Sequence, residues 1–307
     1  MKRLCRALWA MSLTLQLCLH TEATAESKRE MLDTVRVEQA QLGPEGTVFG
    51  IWVGESSGSA TYEHNAQKPM PAASSIKSAI LVELFAKYEG RLESSIEASS
   101  AVFADDDHPA FSHYSAQWRE QCQQALREAS VYDIGAIMIG TKDASNQVYN
   151  GAANLSMALL GGPREATGLM HARDPAFAGL TLNRYMLADR NERGDNTATP
   201  ASLAEVYRLL ASGKMPGLSR ETIERVKSAL LADAEEPRHY FKHGALQTDP
   251  MASIRSGWYE QDDRRLVYVV MGSAPAPKQA TEVASAYGKL DSAVEAIADF
   301  AREAWLP

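Results

Sequence analysis

The chain has 307 residues, of which 45% are apolar and 23% charged, and a formal net charge of −8. These values are ordinary for a globular protein and exclude collagen-like, low-complexity and wholly disordered chains. The acidic balance lacks the basic stripe that a nucleic-acid or anionic-membrane partner requires, so neither is expected.

Lys2, Arg3 and Arg6 precede an apolar run from Ala7 to Leu19, and Ala23-Thr24-Ala25 places small residues before Glu26. This is the pattern of a secretory signal peptide over residues 1–25. The apolar run is too short to span hydrocarbon. Lipidation of Cys18 would call for a small residue where Leu17 stands. The remainder, residues 26–307, is expected to be a secreted or periplasmic monomer, off the membrane once the leader is cleaved. Of Cys5, Cys18 and Cys122 only the last survives cleavage, so stability must come from a core rather than an internal disulfide. A chain of this length, one large domain or two small ones, buries about three quarters of its unfolded surface.

Met31, Leu32, Val35, Val37 and Leu42 recur at helical spacing, ended by Gly43-Pro44. Thr47 to Val53 is rich in β-branched and aromatic residues and predicts a strand; Gly54–Gly58 supplies a turn and Ala60–Glu63 a second strand. The middle of the chain is helical. Ile76, Ile80, Leu81, Leu84, Phe85 and Tyr88 share one face, and comparable runs follow at Gln117–Ala129, Val131–Ile139, Asn154–Leu160, Ala201–Leu210 and Arg220–Leu231. Strands return at Ser253–Tyr259 and Leu266–Met271, before an amphipathic helix from about Glu282 to Trp305. The order predicts an α/β (α+β) sandwich: one antiparallel sheet built from N- and C-terminal strands, flanked by helices, with an inserted all-helical lobe. The α/β lobe takes about 26–72 and 232–307, and the helical lobe about 73–231. Alternating βαβ winding does not fit.

Ser74-Ser75-Ile76-Lys77 opens the first helix of the middle segment. Three residues make just under one turn, so Ser74 and Lys77 share a face. A serine becomes a nucleophile when a base takes its proton, and a lysine serves as that base if burial and nearby positive charge depress its pKa. The helix's positive end favours a developing oxyanion there. Alone, the spacing is equally that of an N-cap serine with an exposed lysine. Lys242-His243-Gly244 then precedes the late strands. It sets an ammonium against a carboxylate-bearing ligand and lets backbone approach it, or else is a solvated turn. The acidic run Asp105-Asp106-Asp107-His108 has no second ligand cluster, no other histidine has metal-ligand spacing, and no glycine-rich phosphate loop follows a strand, so no metal or cofactor is expected.

Ser-x-x-Lys at the first helix of an inserted lobe, followed by Lys-x-Gly near a late strand, resembles class A β-lactamases and penicillin-binding proteins. Pro71 to Glu93 is similar to the family's nucleophile helix, and Leu159-Leu160-Gly161-Gly162-Pro163 to the helix end after its second motif. Leu182-Asn183-Arg184-Tyr185 resembles the start of the omega loop, and Asp195 to Ala201 its exit. The resemblance covers nearly the whole chain beyond the leader and implies a site in the cleft between two lobes.

Three departures stand out. The family's second motif, Ser-Asp-Asn, has two registers here: Gly140-Thr141-Lys142, counted through the preceding helix, and Val148-Tyr149-Asn150, counted back from the glycine pair. Neither has the serine that passes a proton to the leaving nitrogen; Tyr149 is a substitute hydroxyl. The position of the omega-loop glutamate that activates the deacylating water is taken by Met186, which cannot accept a proton. Asp189 and Glu192 are the nearby carboxylates. His243 replaces the middle hydroxyl of Lys-Thr-Gly.

The resemblance thus implies a serine hydrolase with Ser74 as nucleophile and Lys77 as base, acylated by a β-lactam or related acyl substrate, with slow deacylation. The substrate would meet Lys242, His243, Gly244 and Ala245, Arg255 as a second carboxylate contact, and Tyr149 and Asn150 or Lys142 depending on register. A fold that keeps its shape but has lost the chemistry, binding a cell-wall fragment or a protein, is the other reading; an esterase or peptidase on the same scaffold is a third.

Overall fold

Strict alternation along the apolar strands decides which residues face which layer. The computed structural model of the protein describes residues 24–306. Apart from Thr24 and Ala25, the leader expected over residues 1–25 lies outside the described residues; Thr24 caps helix α1 (Ala25–Leu42) through its side chain. Strands β1 (Val48–Glu55) and β2 (Ala60–His64) follow, and β3 (Met70–Pro71) leads into a short 3-10 turn at Ala73–Ile76. The helical segment contains α2 (Lys77–Lys87), α3 (Glu97–Ala104), α4 (Ala116–Leu126), α5 (Val131–Ile139), α6 (Asn146–Leu159), α7 (Pro163–Arg173) and the one-turn α8 (Arg190–Arg193). Then come β4 (Thr197–Ala198), α9 (Pro200–Ala211), α10 (Arg220–Leu230), β5 (Leu231–Asp233), β6 (Arg238–Leu246), β7 (Met251–Gln261), β8 (Arg264–Ala274) and α11 (Ala280–Trp305).

The six-stranded sheet has the order β2-β1-β8-β7-β6-β5 and is antiparallel throughout. N- and C-terminal strands therefore meet at β1–β8, as the element order predicts. One face of the sheet (Ile51, Val53, Tyr268, Val270) packs on Leu32 of α1 and on Val294, Ile297 and Ala301 of α11. The opposite face (Trp52, Ile254, Trp258, Val267, Val269) joins the larger core shared with the helical segment, where Tyr207 of α9 is buried and shares a hydrogen bond with Ser256 at 3.0 Å. Sequence reasoning missed β6: Phe241 to Gly244 is strand, because Tyr240 stacks on Trp258 at 4.2 Å and the pairing with β7 runs through to Leu246. A buried ion pair ties α2 to α7: Arg173 donates through Nε and Nη2 to the two carboxylate oxygens of Glu83 at 2.6 and 2.7 Å. That fork, 3% exposed at Glu83, fixes α2 from behind.

β5 pairs with β6 only through His239 and Tyr240, so beyond them the edge of β6 is open to the helical segment and meets the Ala73–Ile76 turn. Ser74 lies at this junction.

Candidate active site

Three backbone devices present Ser74. Strand β3 pairs with β4, Ala72 N–H donates to Asn196 O at 2.9 Å, and Ser75 returns its N–H and Oγ–H to Ala72 O at 3.0 and 2.6 Å. Between them Ala73 has φ 45°, a left-handed conformation unusual for a residue with a Cβ. Such strain, of order 1–3 kcal/mol, persists only where the surroundings over-determine it, and here it aims the next residue. Ser74 is half-buried, and Lys77 N–H closes the turn on Ser74 O and Ser75 O.

Lys77, fully buried, reaches α6. Its Nζ donates to Asn150 Oδ1 at 2.9 Å and lies 3.2 Å from the centre of the Tyr149 ring. Lys242 approaches the same ring from β6, with Nζ 5.2 Å from its centre, and donates to His243 O at 3.1 Å. The two lysines of the distant motifs thus converge on one aromatic side chain. Burial, followed by the charge of Lys242, holds the Lys77 amine well below the usual lysine pKa. The cation–π contact with the Tyr149 ring opposes this shift, but burial is the largest cause and the net direction is downward.

Of the two registers, the structure brings Tyr149 and Asn150, and not Lys142, to Lys77. Lys142 is not in the cleft: its side chain is 52% exposed and its Nζ pairs with Asp133 at 2.7 Å. Gly140, with φ 96°, ends α5, and the N–H groups of Thr141 and Lys142 fold back on Ala136 O, turning the chain outward. Helix α6 begins earlier than the apolar spacing predicts, at Asn146, so Tyr149 and Asn150 fall in its first turns. Asn150 Nδ2 donates to Asn146 O and Oδ1, which aims Oδ1 at Lys77. Val148, buried, stands where the motif has serine.

Gly244 packs against the Ala73–Ile76 turn. A Cβ there would lie 3.0 Å from Ala72 O and 3.1 Å from Ser75 N, backbone atoms that cannot give way cheaply. Gly244→Val is therefore expected to push β6 off the turn and lower any reaction of Ser74 at least tenfold while the chain stays folded, checked by Ser74 labelling and circular dichroism. Ala245 is exposed at the adjacent edge. His243 and Arg255, opposite each other across β6 and β7, lie on the other face of the sheet, beside α11.

The omega-loop segment is built around Met186. Asn154 clamps its backbone, accepting Met186 N–H at 2.6 Å and donating to Met186 O at 3.1 Å, and His113 Nε2 meets the same oxygen at 2.8 Å. The buried thioether lies against Asn196 Nδ2 at 3.8 Å. Asn196 Oδ1 in turn accepts the N–H groups of Asn183 and Arg184. Asp189 and Glu192 are exposed, and Asp189 caps α8. Sequence reasoning missed Asn154 and Asn196 as loop clamps; their only signal was their place in the quoted motifs. In the acidic run at 105–108 Asp105 Oδ1 accepts Asp107 N–H, and Asp106 pairs with Arg119 at 3.2 Å. No cluster of metal-ligating side chains, and no helix long and apolar enough to cross a membrane, occurs among the described residues.

The sequence pattern of the β-lactamase enzyme family matches residues 34–305, and the chain belongs to that family. Among solved structures, it is similar to a β-lactamase from Sphaerobacter thermophilus DSM 20745, at 17% identity and TM-score 0.61, covering 89% of this chain and 97% of that one. The β-lactamase of Streptomyces albus G is 18% identical at TM-score 0.58, covering 89% and 98%. A structure titled PBP-A is 18% identical at TM-score 0.61, covering 87% and 95%. No curated protein matches the chain.

Proposed function

We propose that the protein is an exported serine hydrolase, acylated at Ser74 by a β-lactam or related acyl compound and slow to release the acyl group. The observation that carries this is the buried Lys77 one turn from Ser74, hydrogen-bonded to α6 and with its pKa lowered by burial and Lys242, which favours the neutral amine. A neutral amine has a lone pair to take the Ser74 proton. As Oγ bonds to the substrate carbonyl carbon, the developing oxyanion lies beside the positive end of the turn and of α2. Collapse breaks the carbonyl–nitrogen bond. Since α6 offers Val148 and a ring rather than a serine hydroxyl, Lys77 itself returns the proton to the leaving nitrogen. Lys242 adds positive charge that keeps Lys77 neutral and faces the substrate's acid group, while Gly244 and Ala245 line the strand edge.

Water must then attack the ester, and Met186 leaves it without a base on the omega loop. A module that only binds would have no use for an unprotonated lysine in its core, which costs stability; the buried amine favours the enzyme over a degenerate binder. The leader over residues 1–25 supports export, and a monomer is proposed because every functional group lies in one chain. The test is intact-mass analysis after incubation with a penicillin: one adduct on the wild type, none on Ser74→Ala. Absence of label on the wild type, or equal label on both, removes the proposal.

A further inference from the structure

Helix α6 meets Lys77 with electron-rich groups. Lys77 Nζ lies 3.2 Å from the centre of the Tyr149 ring, donates to Asn150 Oδ1 at 2.9 Å and is 3.5 Å from Tyr149 O. Lys242 Nζ, on β6, lies 5.2 Å from the same ring centre and is the charge that faces Lys77. Tyr149 thus meets both lysines through its ring and Lys77 also through its backbone oxygen, while its hydroxyl takes no part in these contacts. An aromatic face attracts an ammonium, accepts an N–H and repels a lone pair. In the neutral Lys77 amine, Asn150 Oδ1 and the ring face take the two N–H bonds, and the lone pair turns away from α6.

We propose that Tyr149 is a positioning residue that acts through its ring: the face holds the Lys77 nitrogen with its lone pair turned off α6, free for the Ser74 proton, and attracts the ammonium form of both lysines. The side chain that the sequence presents as a substitute hydroxyl works by its π-electrons instead. The inference deepens the reading of Lys77 as the base for Ser74 and rests on it.

The experiment follows two readouts in variants at position 149. One is the protonation midpoint of Lys77 Nζ from its ¹⁵N resonance, which needs no reaction; the other is the plateau rate of Ser74 acylation by a penicillin above that midpoint. Tyr149→Leu removes the attraction for the ammonium and the hold on the nitrogen, so the midpoint should move below the wild-type value and the plateau rate should fall about tenfold. Tyr149→Phe keeps the face and should restore the midpoint, with the plateau rate within about twofold of wild type. A merely structural role would move the midpoint the other way, because loosened packing admits water and favours the ammonium. Phenylalanines with increasing ring fluorination at position 149 nearly keep the ring's size while draining its face, so the midpoint should step down along the series. That series carries the test if Tyr149→Leu does not fold. An unchanged or raised midpoint in Tyr149→Leu, a flat fluorine series, or a Tyr149→Phe that behaves like Tyr149→Leu overturns the inference and leaves acylation standing. If the midpoints move as expected but no penicillin labels Ser74 in the wild type, the acylation reading fails and takes the positioning role with it.

Discussion

Lys77→Met is expected to slow acylation of Ser74 by about 10²–10⁴-fold, the contribution of a positioned general base, and to raise the stability of the fold by about 1–3 kcal/mol. The two effects share one cause. Placing an amine in a site that excludes water costs free energy, and an apolar side chain of similar length removes that cost. Against this, Asn150 Oδ1 loses its donor. An unsatisfied buried acceptor costs about 1–3 kcal/mol, less than the desolvation relieved. The sign of the pH dependence follows from the lowered pKa of Lys77. Between its folded value and the ordinary 10.5, the unfolded chain binds one proton more than the folded chain, so stability falls as pH drops from 10.5 towards the folded value and levels off below it. Lys77→Met lacks that slope, which is about 1.4 kcal/mol per pH unit. Denaturant melts of both proteins from pH 6 to 10, beside acylation rates, check both halves. A variant that is inactive but less stable than the wild type throughout would contradict the assignment of Lys77 as a neutral base.

A stoichiometric burst followed by near arrest is the second large effect. With Met186 where the omega loop would carry its base, release of the acyl group should be about 10²–10⁴-fold slower than base-assisted hydrolysis. β-Lactam ring opening should consume one equivalent of substrate per protein and then nearly stop, with the ring-opened adduct persisting in the mass spectrum. Hydroxylamine, a nucleophile that needs no base, should discharge the adduct and restore turnover. Steady turnover without a burst would show that another group activates water. Met186→Glu is a poorer test, because the side chain at 186 lies against Asn196 and a carboxylate there would be buried.

What was legible in the sequence was what depends on local spacing. Ser74 and Lys77 lie within one turn, so their pairing needs no long-range information. Lys242 and Gly244 were readable as a motif, although the strand holding them was not, because their role comes from an open strand edge meeting a turn far away in sequence. The second motif was ambiguous for a physical reason. Two registers fit the sequence, and the left-handed cap at Gly140 with the early start of α6 brings Tyr149 and Asn150, rather than Lys142, to Lys77. Asn154 and Asn196 act by satisfying backbone groups of a loop without regular structure, which no periodicity reports.

The whole account turns on the protonation state of one amine. Labelling the lysines with ¹⁵N and following the Lys77 Nζ resonance with pH, assigned by its absence in Lys77→Met, measures it directly. A midpoint far below 10.5, moving upward when Lys242 is replaced by methionine, is the predicted result. Titration of Lys77 at the ordinary lysine value would contradict it, since an ammonium throughout the neutral range has no lone pair to activate Ser74.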